Sequence, residues 1–169
     1  TGNEANNSIN GGINHDSISG LDGNDCISGN TGKDTLDGGN GLDTVNYSYV
    51  TGMTGINVRL DGANTVTVTG LGADDTDQIR NFENIVGTKN NDCITGDGGN
   101  NALSGGDGND TLIGGAGDDT IDGGAGRDRI SYSYTTGTSG VTLTLSDDTT
   151  TVVNFNTEKD YISNIEDVV

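Results

Sequence analysis

The chain keeps a nine-residue beat. From Gly11 the units GGINHDSIS, GLDGNDCIS, GNTGKDTLD and GGNGLDTVN run to Asn46, with GNEANNSIN before them at 2–10. From Gly87 the units GTKNNDCIT, GDGGNNALS, GGDGNDTLI, GGAGDDTID and GGAGRDRIS run to Ser131. Glycine opens each unit, an aliphatic or small apolar residue stands near its end, and the sixth place is an acid or its amide. Such periodicity points to a repeat architecture, and the glycine density excludes helix. In each nine, about six residues of Gly, Asn and Asp suit the positive-φ conformations of a tight turn. The other three, such as Thr35-Leu36-Asp37, make a short strand with its middle side chain inward. One turn and strand reverse the chain and the next pair restores it, so two nines make a coil of 18. Stacked coils give two facing parallel sheets, with Ile9, Ile18, Ile27, Leu36 and Val45 lining one core and Ile94, Leu103, Leu112, Ile121 and Ile130 lining another.

The expected fold is therefore all-β: two parallel β-rolls with two nonapeptides per coil, in tandem like a solenoid, each followed by a strand-rich segment. Module 1 spans 1–86, with its roll at 2–46 and its flank at 47–86. Module 2 spans 87–169, with its roll at 87–131 and its flank at 132–169. The flanks repeat as the rolls do. Tyr47-Ser48-Tyr49 returns as Tyr132-Ser133-Tyr134, GINVRL at 55–60 as GVTLTL at 140–145, and DQIRNFENIV at 77–86 as DYISNIEDVV at 160–169. The offset begins at 85 and ends at 83, the mark of a duplication with a small deletion. Segments 55–60, 65–69 and 141–145 read as ordinary strands.

Charge decides what the turns need. The chain carries 26 acids against 7 bases, a formal charge of −19, and is only 29% hydrophobic. Without a bound counter-charge such a balance leans towards disorder, and it argues against a nucleic-acid partner, whose phosphates it would repel. No apolar run approaches the ~20 residues of a membrane span and no signal peptide is visible. The start at Thr1 suggests a piece of something longer. Five inward aliphatic side chains per roll are too few to offset the ordering of so many turn residues, so a cation has to bridge the turns. Sixth-position acids one coil apart share one edge: Asp16 with Asp34, Asp25 with Asp43, Asp92 with Asp110, and Asp110 with Asp128; Asn7 faces Asp25 and Asn101 faces Asp119. A cage of carboxylates and turn carbonyls suits calcium, while magnesium demands tighter octahedral geometry and keeps its waters. Zinc would want His or Cys clusters. An EF-hand fails because the twelfth residue from Asp22 is Lys33, and no Gly-Lys-Ser/Thr follows any glycine stretch to make a phosphate loop.

The units GGDGNDTLI at 105–113 and GGAGDDTID at 114–122 resemble the RTX family of GGxGxDxUx nonapeptide proteins, and the two repeat blocks carry the resemblance over a little more than half of the chain. It implies a right-handed parallel β-roll with calcium in the turns, in a protein exported by a type I secretion system. In the family's scheme one turn gives second- and fourth-position carbonyls and its sixth-position side chain. The turn one coil further on adds first- and third-position carbonyls and its own acid. Carried over, Asn3, Ala5 and Asn7 pair with Gly20, Asp22 and Asp25; Gly12, Asn14 and Asp16 with Gly29, Thr31 and Asp34; and Leu21, Gly23 and Asp25 with Gly38, Asn40 and Asp43. In module 2, Thr88, Asn90 and Asp92 pair with Gly105, Asp107 and Asp110; Asp97, Gly99 and Asn101 with Gly114, Ala116 and Asp119; and Gly106, Gly108 and Asp110 with Gly123, Ala125 and Asp128. About three calcium ions per module follow.

Some residues depart from the pattern. Asn14 and Asn90 replace the fourth-position glycine, and asparagine best tolerates left-handed backbone among the others. Asn7 and Asn101 lower the charge of their sites. Read backwards from Gly87, the frame makes Glu83 a sixth-position acid one full coil before Asn101, so it is a candidate to complete that site and dock its segment on the second roll; Glu166 would do the same for a further module. His15 sits alone at a turn tip. Lys33, Lys89, Arg127 and Arg129 read as scattered surface charges. Cys26 and Cys93 fall at outward seventh positions of non-equivalent repeats, leaving both a disulfide and two free thiols open. The tyrosines at 47, 49, 132 and 134 read as caps on the last coil of each roll.

The function expected is a calcium-binding region that folds on meeting calcium outside the cell and supports secretion of a larger protein. The alternative is a calcium-dependent carbohydrate- or surface-binding module, as in some RTX-bearing epimerases and adhesins. Third and fifth positions vary too much along the turns to form a flat template, which disfavours it. Catalysis is not expected: one His leaves no triad, and the dense acid clusters are assigned to metal.

Overall fold

The computed structural model describes residues 1–50, 54–72, 75–132, 142–144, 150–155 and 158–169, and among them there are strands and turns but no helix. The first repeat block gives β1 (Ser8–Ile13), β2 (Ser17–Asp22), β3 (Cys26–Thr31), β4 (Thr35–Asn40) and β5 (Thr44–Asn46). The flank after it gives β6 (Asn57–Arg59), β7 (Val66–Gly72), β8 (Asp75–Arg80) and β9 (Asn84–Val86). The second block gives β10 (Cys93–Thr95), β11 (Ala102–Asp107), β12 (Thr111–Ile113), β13 (Thr120–Ala125) and β14 (Arg129–Ile130). The last flank gives β15 (Thr142–Thr144), β16 (Thr150–Phe155), β17 (Glu158–Ser163) and β18 (Asp167–Val168).

Successive strands of each repeat block alternate between two sheets. One sheet runs β1-β3-β5-β9-β11-β13-β17-β16-β15 and the other β18-β14-β12-β10-β6-β7-β8-β4-β2. Within the blocks every pairing is parallel and joins strands two repeats apart, with Ser8 beside Cys26, Ser17 beside Thr35 and Thr111 beside Arg129. That is the expected coil. The eighth-position side chains meet between the sheets, where Ile27, Leu36, Val45, Ile94, Leu103, Leu112, Ile121 and Ile130 are all buried. Ile9, in the end coil, is only partly buried.

The first flank is threaded into the solenoid rather than appended to it. β8 continues the second sheet beside β4, Leu36 facing Ile79, and β9 continues the first beside β5, Val45 facing Ile85. On its other side β9 pairs with β11, Ile85 facing Leu103, while β6 pairs with β10, Val58 facing Ile94. β7 links β6 and β8 by antiparallel pairing. Both sheets therefore cross the boundary between the modules unbroken. The crossing takes one strand in the first sheet (β9) and three in the second (β8, β7 and β6).

The second flank repeats this arrangement: β17 pairs in parallel with β13 and antiparallel with β16, β16 with β15, and β18 with β14. Tyr47 and Tyr132 are buried at the turn from roll to flank, as their capping role requires; Tyr49 is exposed. Tyr134 lies outside the described residues. Cys26 and Cys93 are free thiols on different sheets, β3 and β10, so they do not bridge.

Candidate metal centres

Two rows of carboxylates run along the edges of the solenoid, each fixed by the backbone of a neighbouring coil. The amide of each sixth residue donates to a side-chain oxygen of the sixth residue one coil on. On one edge Asn7 donates to Asp25 (2.7 Å), Asp25 to Asp43 (2.7 Å), and Asp43 to Glu83 Oε2 (2.8 Å). Asn101 then donates to Asp119 (2.9 Å) and Asp119 to Asp160 (3.1 Å). On the other edge Asp16 donates to Asp34 (2.8 Å) and Asp34 to Asp77 (3.0 Å). Past the flank, Ile56 donates to Asp92 (2.7 Å), Asp92 to Asp110 (2.8 Å), Asp110 to Asp128 (2.8 Å), and Asp128 to Glu166 (2.7 Å). Asp16 begins its row; in each later carboxylate of the two rows this ladder holds one oxygen and leaves a second to be accounted for.

That second oxygen is where the need for a cation shows. The Oδ2 atoms of Asp16, Asp25, Asp34, Asp43, Asp110, Asp119 and Asp128 are buried and accept no hydrogen bond. A buried charged acceptor without a donor costs more than any other polar group. Each lies against the opening glycine of its own repeat. A Cβ added to Gly11 would sit 2.8 Å from Asp16 Oδ2 and 2.9 Å from the Gly29 carbonyl oxygen, which belongs to the next coil. Gly20 is placed in the same way between Asp25 Oδ2 and the Gly38 carbonyl, and Gly105 between Asp110 Oδ2 and the Gly123 carbonyl. Two oxygen acceptors thus converge with no proton between them, in a space only glycine leaves open. The second- and fourth-position carbonyls of Leu21, Gly23, Thr88, Asn90, Asp97, Gly99, Gly106 and Gly108 approach the second- and fourth-position glycines one coil further on. An all-oxygen donor set of this kind fits calcium.

Burial acts on the carboxylates as it must in the absence of charge compensation. Desolvation pushes Asp110 and Asp119 up to about 7, with neighbouring acids adding to the rise and a ladder hydrogen bond opposing it. Asp34, Asp43, Asp92 and Asp128 are also raised, desolvation being the largest cause in each.

Not every turn is alike. At Asn7 and Asn101 the amide oxygen accepts the second-position backbone N–H of its own turn, from Asn3 (2.8 Å) and Asp97 (2.9 Å). Asp92 is satisfied similarly, its Oδ2 by the Thr88 amide (2.6 Å) and its Oδ1 by the Thr88 hydroxyl (2.9 Å). Turns 2–10, 87–95 and 96–104 therefore hold themselves closed, whereas the others leave a carboxylate oxygen for a cation. Asn14 has φ +90°, the left-handed backbone its place requires, but Asn90 is not left-handed; Leu21 unexpectedly is, at φ +83°. His15 is exposed, and its Nδ1 accepts the Lys33 amide (2.7 Å), one rung of a second ladder built on fifth-position side chains such as Asn24 and Asn109. Arg127 and Arg129 pair with Asp167 at 3.1 and 3.8 Å.

Glu83 lies at the join of the modules. Its carboxylate extends the first roll's ladder beyond Asp43, and its backbone carbonyl accepts the Asn101 side-chain amide at 2.9 Å. Sequence reading did not single out Asp77 and Asp160, which do for the opposite edge of each module what Glu83 and Glu166 do. Asp77 is fully buried; its Oδ1 accepts the Asp34 amide and its Oδ2 the Tyr47 hydroxyl (3.2 Å). Tyr132 hydrogen-bonds Asp160 in the same role. At these ends of the rows a tyrosine hydroxyl stands where the other turns call for a cation. The signal was present: Asp77-Gln78-Ile79 and Glu83-Asn84-Ile85 repeat the acid-x-aliphatic core of the nonapeptide, but six residues apart instead of nine.

The sequence profile of the RTX calcium-binding nonapeptide repeat matches four times, at residues 1–36, 19–47, 82–112 and 95–130. No curated protein matches the chain. Among solved structures the chain is similar to the extracellular lipase LipA from Serratia marcescens, at 16% identity and a TM-score of 0.39 over 98% of this chain. The chain spans 37% of that lipase's length.

Proposed function

The chain belongs to the RTX calcium-binding nonapeptide-repeat family, and from that premise we propose that it is a calcium-folded segment of a larger exported protein, with no catalysis of its own. Calcium sits between turns one coil apart. It takes the free Oδ2 of two sixth-position acids together with second- and fourth-position carbonyls of one turn and first- and third-position carbonyls of the other. The observation that carries this reading is the row of seven buried, donor-less Oδ2 atoms facing glycine-opened turns. The strongest sites pair two such acids: Asp16 with Asp34, Asp25 with Asp43, and Asp110 with Asp128. The sites at Asn7, Asp92 and Asn101 are weaker because their turns are already closed by internal hydrogen bonds. Glu83 and Glu166 extend the rows as further carboxylate ligands at the module ends.

Residues 1–86 and 87–169 act as two copies of one module, loaded with about three ions each. Calcium is scarce in the cytosol and abundant outside, so the chain stays loose during export and closes afterwards, the metal's binding energy serving as folding energy. Calorimetric titration of the metal-free chain tests this. About six calcium ions should bind with a simultaneous rise in β-sheet circular dichroism, and magnesium should not replace them. Binding without any gain of structure, or an equal response to magnesium, would contradict it.

A further inference from the structure

Each flank carries an acid that neither the nonapeptide pattern nor the two carboxylate rows account for. From Gly32 to Asp75 and from Asp34 to Asp77 the step along the coil is 43 residues, the same as from Leu36 to Ile79. Asp75 therefore falls where a repeat has its fourth residue, a place that the rolls give to Gly, Asn or Ala. In module 2 the step from Asp119 to Asp160 is 41, the same as from Ile121 to Ile162, and it sets Glu158 against Gly117. Asp75-Thr76-Asp77 and Glu158-Lys159-Asp160 thus match, acid for acid, in the two modules.

Asp75 stands opposite Gly72, where β7 rejoins β8 past a bulge, and its Oδ2 accepts the Gly32 amide at 3.2 Å. Its Oδ1 is buried and accepts no hydrogen bond. The same is true of Oδ2 of Asp34, a residue only 1% exposed on the turn that Asp75 holds. The Tyr47 hydroxyl goes to Asp77 and leaves both of these oxygens unanswered. No side-chain cation answers them either: the ion pairs among the described residues join Arg80 to Asp37, and Arg127 and Arg129 to Asp167. The acids are near enough to act on one another. Asp34 is raised by desolvation first and then by the charges of Asp16 and Asp75. Asp119 is raised by desolvation first and then by those of Asp160 and Glu158. Asp119 makes the need plainest: its Oδ2 is buried without a donor, yet the Asn101 turn beside it is already closed by its own hydrogen bond.

We propose that each module holds one further calcium ion outside its nonapeptide pattern, where a row passes from roll to flank: between Asp34 and Asp75 in module 1, and between Asp119 and Glu158 in module 2. Two buried carboxylates without donors are costly unless a cation joins them. Turn carbonyls complete the oxygen set, which suits calcium better than magnesium. The proposal rests on the calcium reading above and adds one ion per module to it. Asp34 belongs to the roll and Asp75 to β8, so the ion that closes the last turn also fastens the flank, and docking of the flank becomes part of metal-driven folding.

Calorimetric counting of calcium on the intact chain tests this, with circular dichroism on the same samples. The wild-type chain should take up about eight ions, two more than the repeat turns alone supply. Asp75→Asn keeps an oxygen for the Gly32 amide and should bind one ion fewer. Glu158→Gln should also lose one ion, and it puts the same question to module 2 should Asp75→Asn fail to fold. Asp34→Asn should lose two ions, because Asp34 also serves the site with Asp16. A folded Asp75→Asn or Glu158→Gln chain that keeps the full count overturns the proposal, the free oxygens then sharing a proton instead. So does loss of a single ion from Asp34→Asn, which would leave Asp75 as a mere support of the Asp16–Asp34 site. A wild-type chain that binds no calcium at all refutes the calcium reading, and these two sites with it.

Discussion

Asp110 is the residue whose replacement separates the two roles of a turn carboxylate. Its Oδ1 accepts the Asp92 amide and its Oδ2 has no donor. It is 1% exposed, and desolvation lifts it from 3.8 to about 7. At ~1.4 kcal/mol per pKa unit, holding it ionised in the metal-free fold costs about 4 kcal/mol. Asp110→Asn keeps the shape and the Oδ1 acceptor while removing that charge. Without metal the variant should therefore be more stable at neutral pH, by up to about 4 kcal/mol. With calcium the sign reverses, since Asp110 serves two sites, one with Asp92 and one with Asp128. Each ion bound only by the folded state adds about 1.4 kcal/mol of stability per tenfold rise in calcium. Losing two sites should flatten that dependence by about 2.7 kcal/mol per decade, whereas Asp16→Asn, at the end of its row, should flatten it by about 1.4. Urea unfolding at a series of calcium concentrations, in dilute protein, measures both slopes. Equal slopes for the two variants, or no change from the wild-type chain, would refute the assignment of acids to shared sites.

Four further outcomes follow from the same geometry. Gly29→Ala pushes a methyl group against Asp34 Oδ2 and should abolish the Asp16–Asp34 ion, while Gly98→Ala, with open space around it, should leave calorimetric stoichiometry unchanged. Leu21→Gly relieves a left-handed leucine and should raise the melting stability of the loaded chain by about 1 kcal/mol. Tyr47→Phe strips the hydroxyl from buried Asp77 and should cost about 1–3 kcal/mol by urea unfolding of the calcium-loaded chain. For pH, Asp77, Asp110 and Asp119 all rise from 3.8 to about 7, so between those values the metal-free fold binds more protons than the unfolded chain. Its stability must fall as pH rises through that window. In chelator, β-sheet circular dichroism should therefore grow as pH drops from 7 towards 4, while calcium affinity should weaken over the same range because protons compete for the ligands.

The rolls could be read from the sequence because their physics is local and periodic. A glycine turn, a sixth-position acid and an eighth-position aliphatic fix one coil, and the two-repeat spacing stacks the next. Ile27 beside Val45 and Asp16 below Asp34 needed nothing more. The flanks could not be read that way. Ile79 and Ile85 occupy ordinary coil positions, but the turn between them is three residues short, so the period breaks where the solenoid does not. Nor does spacing tell which turns close themselves: that depends on whether a side-chain oxygen finds its own turn's amide, as Asn101 does with Asp97, or whether a hydroxyl such as that of Thr88 happens to lie within reach of Asp92. Tyr47 was recognisable as a cap, but its bond to Asp77 comes from folding the flank back under the roll, thirty residues on.

Small-angle X-ray scattering of the chain in chelator and in calcium reaches the central claim most directly. Disordered, a chain of 169 residues has a radius of gyration of roughly 40 Å, and compact it falls below about 20 Å. At neutral pH the large value is expected in chelator and the small one in calcium, with a reversible passage between them. A compact chain of unchanged dimensions after the metal is stripped would contradict it.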